Sequence, residues 1–209
     1  MRNIFLCVAV LFAGCQSAGT ERTSQVAVGD IERAPTHSAT DDKYANVYRG
    51  LDGVWEGRFD IYIDTRGQIQ APRQEKLDPG QWTRPPYKLS QSIDVRQEYR
   101  SESPYFQRVE ITDTYADGRK VVSRGVNKVQ GGRMYCVVKK PDDLVIHDGM
   151  TEGKDTIIWR RDRKSPLSVE YFRETVAKDT YTIIGWGYYA GDDTTKAPRL
   201  YFSATYSRP

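Results

Sequence analysis

Polar side chains interrupt the apolar pattern of one hairpin, VRQEYRSESPYFQRVEI, which spans Val95–Ile111. The alternation of residue types predicts two antiparallel strands around a short loop. With the loop placed at its centre, Tyr99 opposes Tyr105 and Gln97 opposes Gln107. Directly opposed residues share a face of the sheet, so these four side chains could meet a ligand together.

Two interpretations of these four side chains are open. The same face carries apolar residues deeper in the hairpin, so it points toward a core, where an amide without a partner costs about 1–3 kcal/mol. A ligand cavity near the opening of the fold would provide the partners. Alternatively, Gln97 and Gln107 bond each other across the strands, and both tyrosine hydroxyls reach solvent.

The elements that would position this hairpin are β-strands throughout. About ten strands with turn residues between them run from Val54 to Ser207, and no stretch after residue 55 has a convincing helical period. The segment Lys43–Gly53 can hold a short helical turn. We therefore predict an all-β domain over 43–209, a single up-and-down antiparallel barrel, with a two-sheet sandwich as the alternative.

Glycines within the predicted strands favour a closed barrel, because strand-interior glycine often marks a sharp bend. The opening LDGVWEG, Leu51–Gly57, resembles the G-x-W start of lipocalin-like (calycin) barrels. That resemblance implies that Trp55 plugs the barrel floor. It also implies that a late arginine, Arg208, packs over the tryptophan through a cation–π contact.

The N-terminus predicts export and anchoring. Residues 1–15 hold one basic residue, a short apolar run and FAGC, which resembles a bacterial lipobox with Cys15 as the lipidated residue. An ordinary signal peptide is the alternative. Residues 16–42 are rich in Ser, Thr and charge and predict a flexible tether. In the Gram-negative lipoproteins that this segment resembles, a residue such as Gln16 after the cysteine implies retention at the outer membrane, here on its periplasmic face in the cell envelope.

Composition excludes several classes of site. The 31 basic and 28 acidic residues give a net charge of only +3, too even to favour nucleic acid as a partner. Cys136 is the only cysteine left in the mature chain, so no internal disulfide is expected. His147 is the only histidine in the predicted domain, which favours a structural role over a metal site. No independent catalytic constellation is evident, and a homodimer is left open.

The hairpin also resembles part of the CpeT/CpcT chromophore lyase family, through V-x-Q-E-Y and P-Y-x-Q-R-V after the strand EGRFDIYID. The resemblance covers Gly53–Tyr115. It implies a ten-stranded calycin-like barrel that holds a bilin or other tetrapyrrole and delivers it to a phycobiliprotein cysteine. The matching positions, carried over as ligand-binding candidates, are Gln97, Glu98, Tyr105, Gln107 and Arg108. Phe106 departs from the family pattern, which has arginine there.

The expected function is therefore a membrane-tethered lipoprotein whose barrel binds a small hydrophobic or tetrapyrrole-like ligand. Two alternatives remain: an active bilin lyase-type enzyme, and a ligand-free envelope interaction module. The candidate ligand-binding residues are Gln97, Glu98, Tyr99, Tyr105, Gln107 and Arg108. Aromatic and basic residues of the later strands are further candidates for inward-facing groups, namely Tyr171, Arg173, Tyr181, Tyr189 and Tyr206.

Overall fold

The computed structural model describes residues 25–69 and 78–209. Within them, ten antiparallel strands form a closed barrel in which each strand pairs with its neighbours along the chain and β1 pairs with β10. The strands are β1 Gly53–Asp64, β2 Tyr87–Ser103, β3 Phe106–Thr114, β4 Lys120–Gln130, β5 Arg133–Lys139, β6 Leu144–Glu152, β7 Thr156–Lys164, β8 Leu167–Ala177, β9 Thr180–Tyr189 and β10 Leu200–Ser207.

This topology confirms the predicted up-and-down barrel, and the sandwich alternative is wrong. Two 3-10 turns, Ala39–Tyr44 and Arg49–Leu51, precede β1 and confirm the short helical turn. One short helix, α1 at Pro79–Trp82, lies in the long β1–β2 connection, and Asp78 accepts a hydrogen bond from its second residue. No helix in the described ranges is long and apolar enough to cross a membrane.

Glycine lets the strands approach one another closely where the sheet curls. A Cβ on Gly57 would collide with the carbonyl oxygen of Thr205 on β10, and a Cβ on Gly185 with that of Tyr171 on β8. Any larger residue at these positions would therefore force the neighbouring strands apart. This is the bend in a closed sheet that strand-interior glycine predicts.

One end of the barrel is closed by Trp55, which is fully buried. Its indole Nε1 donates to the Leu51 carbonyl at 2.7 Å, and the Arg208 guanidinium lies 4.2 Å from its ring centroid. Arg208 also donates to the Asp52 carbonyl at 2.9 Å. The first and last strands are thus joined at the floor as well as along their edges.

The register of the β2–β3 hairpin differs from the prediction. Tyr99 opposes Val109 and Gln97 opposes Ile111, so Gln97 and Gln107 are not opposed. The strands continue to a tight turn at Pro104 and Tyr105, with an irregularity between Ser101 and Ser103. The opposed pairs are therefore displaced by four residues along β3. An even displacement keeps Gln97, Tyr99 and Gln107 on their predicted inward face, because the strand period is two. Tyr105, which was also predicted to point inward, lies instead in the turn between the strands.

The described part of the predicted tether, residues 25–42, packs against the outside of the barrel. The buried Lys128 ammonium donates to the carbonyls of Ala27 and Asp30 at 3.2 and 2.8 Å, and Gln130 donates to Val26. Ile31 packs into an apolar cluster on the outer face of β3–β5. The packed chain therefore begins well before residue 43. Residues 1–24, with the predicted signal peptide and Cys15, lie outside the described residues.

Candidate ligand-binding cavity

The barrel encloses a cavity of about 380 Å³ between the Trp55 floor and the opposite, open end. Three phenylalanine rings form one continuous wall: Phe202 lies 5.7 Å from Phe59 and 5.3 Å from Phe172, centroid to centroid. Further apolar lining comes from Ile93, Val95, Ile111, Val138, Val145 and Ile183. The volume and the mostly apolar lining are those of a small-molecule site.

A broader depression of about 750 Å³ lies on the outer face of the barrel around Gly57. It is bordered by exposed charged side chains, including Arg58 and Asp94, which pair with each other at 3.7 Å. Solvated charges on an open surface give little desolvation to a ligand. The interior cavity is therefore the stronger candidate site.

The cavity wall formed by β6–β9 carries a buried polar cluster centred on Glu170. Its carboxylate contacts His147 Nε2 at 2.9 Å and accepts a hydrogen bond from the Tyr189 hydroxyl at 2.8 Å. The Arg161 guanidinium lies 3.7 Å away. Burial works against the charge on Glu170, but these neighbours outweigh it and lower the pKa of the carboxyl. Glu170 is therefore held as an anion within a shell of donors.

Arg161 links this cluster to the open end. Its side chain is largely buried, and it donates to Asp143 in the β5–β6 loop at 3.0 Å. Arg163 donates to the other oxygen of the same carboxylate, also at 3.0 Å. Both arginines lower the pKa of Asp143. The charges on this side of the cavity are thus largely neutralised by partners within the protein.

The wall formed by β3–β5 presents different polar groups. Asp113, Ser123 and the exposed Lys140 line the cavity there. Burial raises the pKa of the Asp113 carboxyl, and the positive charge of Lys140 opposes the shift. The Ser123 hydroxyl is buried and has no hydrogen-bond partner within the described part of the chain.

Of the six ligand-binding residues predicted from the sequence, Gln97 lines this cavity. Its amide oxygen accepts a hydrogen bond from the Tyr99 hydroxyl. Tyr99 lies toward the floor, edge-on to Tyr181. Gln97 and Tyr99 are two residues apart on the inward face of one strand, which is why these two neighbours meet.

Gln107 lies at the closed end and is fully buried. Its amide nitrogen donates to the Tyr48 carbonyl at 2.8 Å and to Asp52 at 2.9 Å, and its oxygen accepts from Asn127 at 2.9 Å. The amide is therefore satisfied by the chain around the floor. The alternative in which Gln107 bonds Gln97 is wrong, because the hairpin register separates them.

The other three predicted residues lie away from the cavity. Glu98 is on the outer face, where it pairs with Arg96 at 3.0 Å. Arg108, also outside, donates to the carbonyls of Ile31 and Glu32 at 2.9 Å each. Tyr105 lies in the hairpin turn, where its hydroxyl donates to Asp42 and its ring stacks on that of His37. Arg108 and Tyr105 therefore hold residues 31–42 against the barrel.

Sequence reasoning missed most of the polar residues of the cavity. Of the further aromatic and basic candidates, Tyr181, Tyr189 and Tyr206 face inward, whereas Tyr171 stacks on Trp186 outside and Arg173 pairs with Glu152. A charged residue at an inward-facing position of the alternating strand pattern is the signal that could have identified the remaining polar residues of the cavity. Glu170 follows this rule, since it lies on the same face as Phe172.

Cys136 and His147 are opposed across β5 and β6, which places a thiol beside the only histidine of the barrel. No hydrogen bond joins them, and burial raises the pKa of the Cys136 thiol far above its usual value. A nucleophilic cysteine needs a lowered pKa. The pair therefore lacks the activation that thiol catalysis requires. Within the described residues, no group of three or more acidic, histidine or cysteine side chains could hold a metal ion.

Comparisons with known proteins show no family for this chain. No family model matches the chain, and no curated protein is similar to it. Several solved structures are similar to the chain at low sequence identity. EF1p2_mFAP2b bound to DFHBI is 14% identical over 79% of this chain and 99% of its own, with a TM-score of 0.38. The redesigned barrel mFAP0 bound to DFHBI is 12% identical over 76% and 99%, with a TM-score of 0.36.

Proposed function

We propose that this protein is an envelope lipoprotein that binds a small, mainly apolar molecule inside its barrel. The observation that carries the proposal is the interior cavity of about 380 Å³, which is open at one end, with a phenylalanine wall and polar groups toward that opening. A barrel built only for stability would fill this space with side chains, because protein interiors are close-packed. An apolar ligand would recover those packing contacts.

The size of the cavity limits which classes of ligand can fit inside it. Small-molecule sites span roughly 300–1,000 Å³, and this cavity is near the lower limit. A molecule with one or two rings, or a short alkyl chain, matches it best. A linear tetrapyrrole has four rings and would extend out of the open end. We therefore favour a compact apolar ligand over a bilin.

The anchoring part of the proposal comes from the sequence. A short apolar run followed by FAGC, with Cys15 as the lipidated residue, supports attachment to a membrane, and Gln16 supports the outer membrane. Metabolic labelling with a radiolabelled fatty acid tests this part, with Cys15→Ser as the control. Label that persists in Cys15→Ser would contradict lipidation at this residue.

Ligand binding is tested with a pair of variants on β6. Val145 lines the cavity, and its neighbour Leu144 points outward and is 41% exposed. N-phenyl-1-naphthylamine, a neutral dye that fluoresces in apolar surroundings, serves as the probe. We expect the wild type and Leu144→Phe to bind it. Val145→Phe places a ring in the cavity and should weaken binding about tenfold or more.

The outcomes separate the alternatives. Equal binding by the wild type and both variants would place the dye outside the cavity and contradict the proposal. Absence of binding to this dye, together with purification of the protein without any bound small molecule, would favour the ligand-free interaction module. Native mass spectrometry of protein from its own source detects such a molecule directly.

A bilin lyase-type enzyme is the second candidate, and it is supported by the resemblance of the β2–β3 hairpin to the CpeT/CpcT family. Of the matching positions, Gln97 contacts the cavity, whereas Glu98 and Arg108 are outside. The test is titration with biliverdin, followed by incubation with a cysteine-bearing phycobiliprotein subunit. Covalent transfer of the chromophore would establish the lyase, and binding without transfer would favour a carrier.

A further inference from the structure

The polar groups of the cavity divide into two sets by their hydrogen bonds. On the β6–β9 wall, Glu170 is surrounded by His147, Tyr189 and Arg161, and Arg161 is itself bound to Asp143. These groups satisfy one another, so a ligand would have to break existing bonds to use them. A saturated network of this kind organises the wall and has little capacity left for recognition.

The β3–β4 wall is the opposite case. The Ser123 hydroxyl is buried without a partner, and the side chain of the half-buried Asp113 makes no hydrogen bond or ion pair with any described residue. Ile111 opposes Ser123, and Asp113 opposes Val121, so Asp113 and Ser123 are diagonal neighbours on the inward face. A buried polar group without a partner costs about 1–3 kcal/mol. The buried Ser123 hydroxyl and the half-buried Asp113 carboxyl, side by side in one cavity, therefore both have hydrogen-bonding capacity that the described chain does not use.

We propose that Asp113 and Ser123 form a subsite that receives an N–H or O–H donor of the ligand, while the ligand's apolar body lies against Phe59, Phe172 and Phe202. This inference rests on the proposed ligand-binding function and specifies the class of ligand. The molecule is an alcohol, a phenol or an amine with a compact apolar body. The burial that raises the pKa of Asp113 is consistent with a carboxyl that lacks compensating donors in the protein alone.

The charges that face the subsite exclude an anionic ligand as the preferred class. A carboxylate placed here would meet the carboxyl of Asp113 at close range. Lys140, at the rim, could attract an anion, but it already acts electrostatically on Asp113. Arg161, the other cation of the cavity, is bound to Asp143 and lies beside Glu170. Neither cation is therefore free to neutralise an incoming carboxylate at the subsite.

Three naphthalene probes with a common body test the subsite. 2-Naphthol carries a donor, 2-methoxynaphthalene has the same oxygen without a donor, and 2-naphthoate is an anion. Dissociation constants are measured by quenching of tryptophan fluorescence and checked by calorimetry. We expect 2-naphthol to bind about tenfold or more tightly than 2-methoxynaphthalene, since a hydrogen bond to a charged group contributes about 1.5–3 kcal/mol. We expect 2-naphthoate to bind most weakly.

Substitutions test whether the subsite causes the preference for 2-naphthol over 2-methoxynaphthalene. Asp113→Val removes the acceptor with little change of shape and should reduce the preference for 2-naphthol to about threefold or less. Ser123→Ala should reduce it partly. Asp94→Val is the matched control, because Asp94 is an exposed aspartate on the outer face of the neighbouring strand. That variant should keep the full preference.

The results distinguish failure of the subsite from failure of the proposed function. Equal affinities for 2-naphthol and 2-methoxynaphthalene, or a preference for 2-naphthoate, would refute the subsite and leave the binding cavity intact. A preference that survives in Asp113→Val would also refute it. If none of the three probes binds the wild type, the proposed binding function itself fails.

Discussion

Replacing Glu174 with glutamine should change how the stability of the barrel depends on pH. Glu174 faces inward from β8 at the closed end, opposite Ile157 and Ile183. Burial raises the pKa of its carboxyl from 4.5 to about 7, and hydrogen bonding to Trp159 opposes the shift. The folded protein therefore binds a proton between these two pH values that the unfolded chain has released.

The sign and size of the effect follow from linkage. Because the folded state binds more protons between pH 4.5 and about 7, the free energy of unfolding falls as the pH rises through this range. The full pKa shift corresponds to a change of about 3.4 kcal/mol in the free energy of unfolding, and about 2.5 kcal/mol of that change occurs between pH 5 and pH 8. Glutamine keeps the shape and does not titrate. Glu174→Gln should therefore gain stability over the wild type by up to that amount as the pH rises.

Urea unfolding followed by tryptophan fluorescence at pH 5, 6, 7 and 8 measures this difference. Other groups titrate equally in both proteins and cancel in the comparison. Glu110→Gln is the matched control for replacing one carboxylate by an amide, because Glu110 is half-exposed on the outer face. A Glu174→Gln difference that stays constant within about 0.5 kcal/mol from pH 5 to pH 8 would refute the reasoning.

Three further substitutions test the packing around the barrel. Gln107→Leu should lower the free energy of unfolding by about 2–4 kcal/mol, because it leaves several buried groups without their hydrogen-bond partner. It should not change the affinity for N-phenyl-1-naphthylamine. Weaker dye binding in a stably folded variant would contradict this. Lys128→Ala should speed tryptic cleavage after Arg33, measured by mass spectrometry, because it frees the carbonyls of the packed N-terminal segment. The exposed Lys120→Ala on the same strand should cleave at the wild-type rate. Arg208→Ala should lower the free energy of unfolding in urea by about 1–2 kcal/mol, because it removes the cation–π contact and one hydrogen bond at the floor. An unchanged midpoint of urea unfolding would show that these contacts contribute nothing to stability.

The β2–β3 hairpin shows how far a strand pattern predicts a site. The period of two placed Gln97, Tyr99 and Gln107 on the inward face, and the structure agrees. The position of these side chains along the barrel axis depended on the register between β2 and β3, which the alternating pattern does not fix. The Asp52 carboxylate accepts hydrogen bonds from Ser101 and Gln107, which are far from it in the sequence. The hairpin that makes these contacts is longer than predicted and has a tighter turn. Gln107 therefore lies at the closed end and away from the cavity.

The N-terminal segment shows the opposite limitation. Its composition, rich in Ser, Thr and charge, predicted a tether through residue 42, because no sustained apolar period is present. A few contacts suffice to hold it: Ile31 enters an apolar cluster, and Lys128 and Arg108 bind its carbonyls. These partners are separated from it by more than 70 residues, so no local pattern could reveal them.

The sequence by itself predicted the strands, the faces of most of their residues and an up-and-down barrel, because these depend on local periodicity. The contact between Trp55 and Arg208 was implied by the resemblance of a short motif to lipocalin-like barrels. The tertiary structure alone decided which polar groups are satisfied. Glu170 and Asp113 are both inward-facing carboxylic acids, yet the Glu170 carboxylate is enclosed by donors and the Asp113 carboxyl has no hydrogen bond among the described residues. That difference arises from which side chains converge across the barrel, and it is what makes Asp113 the candidate contact for a ligand.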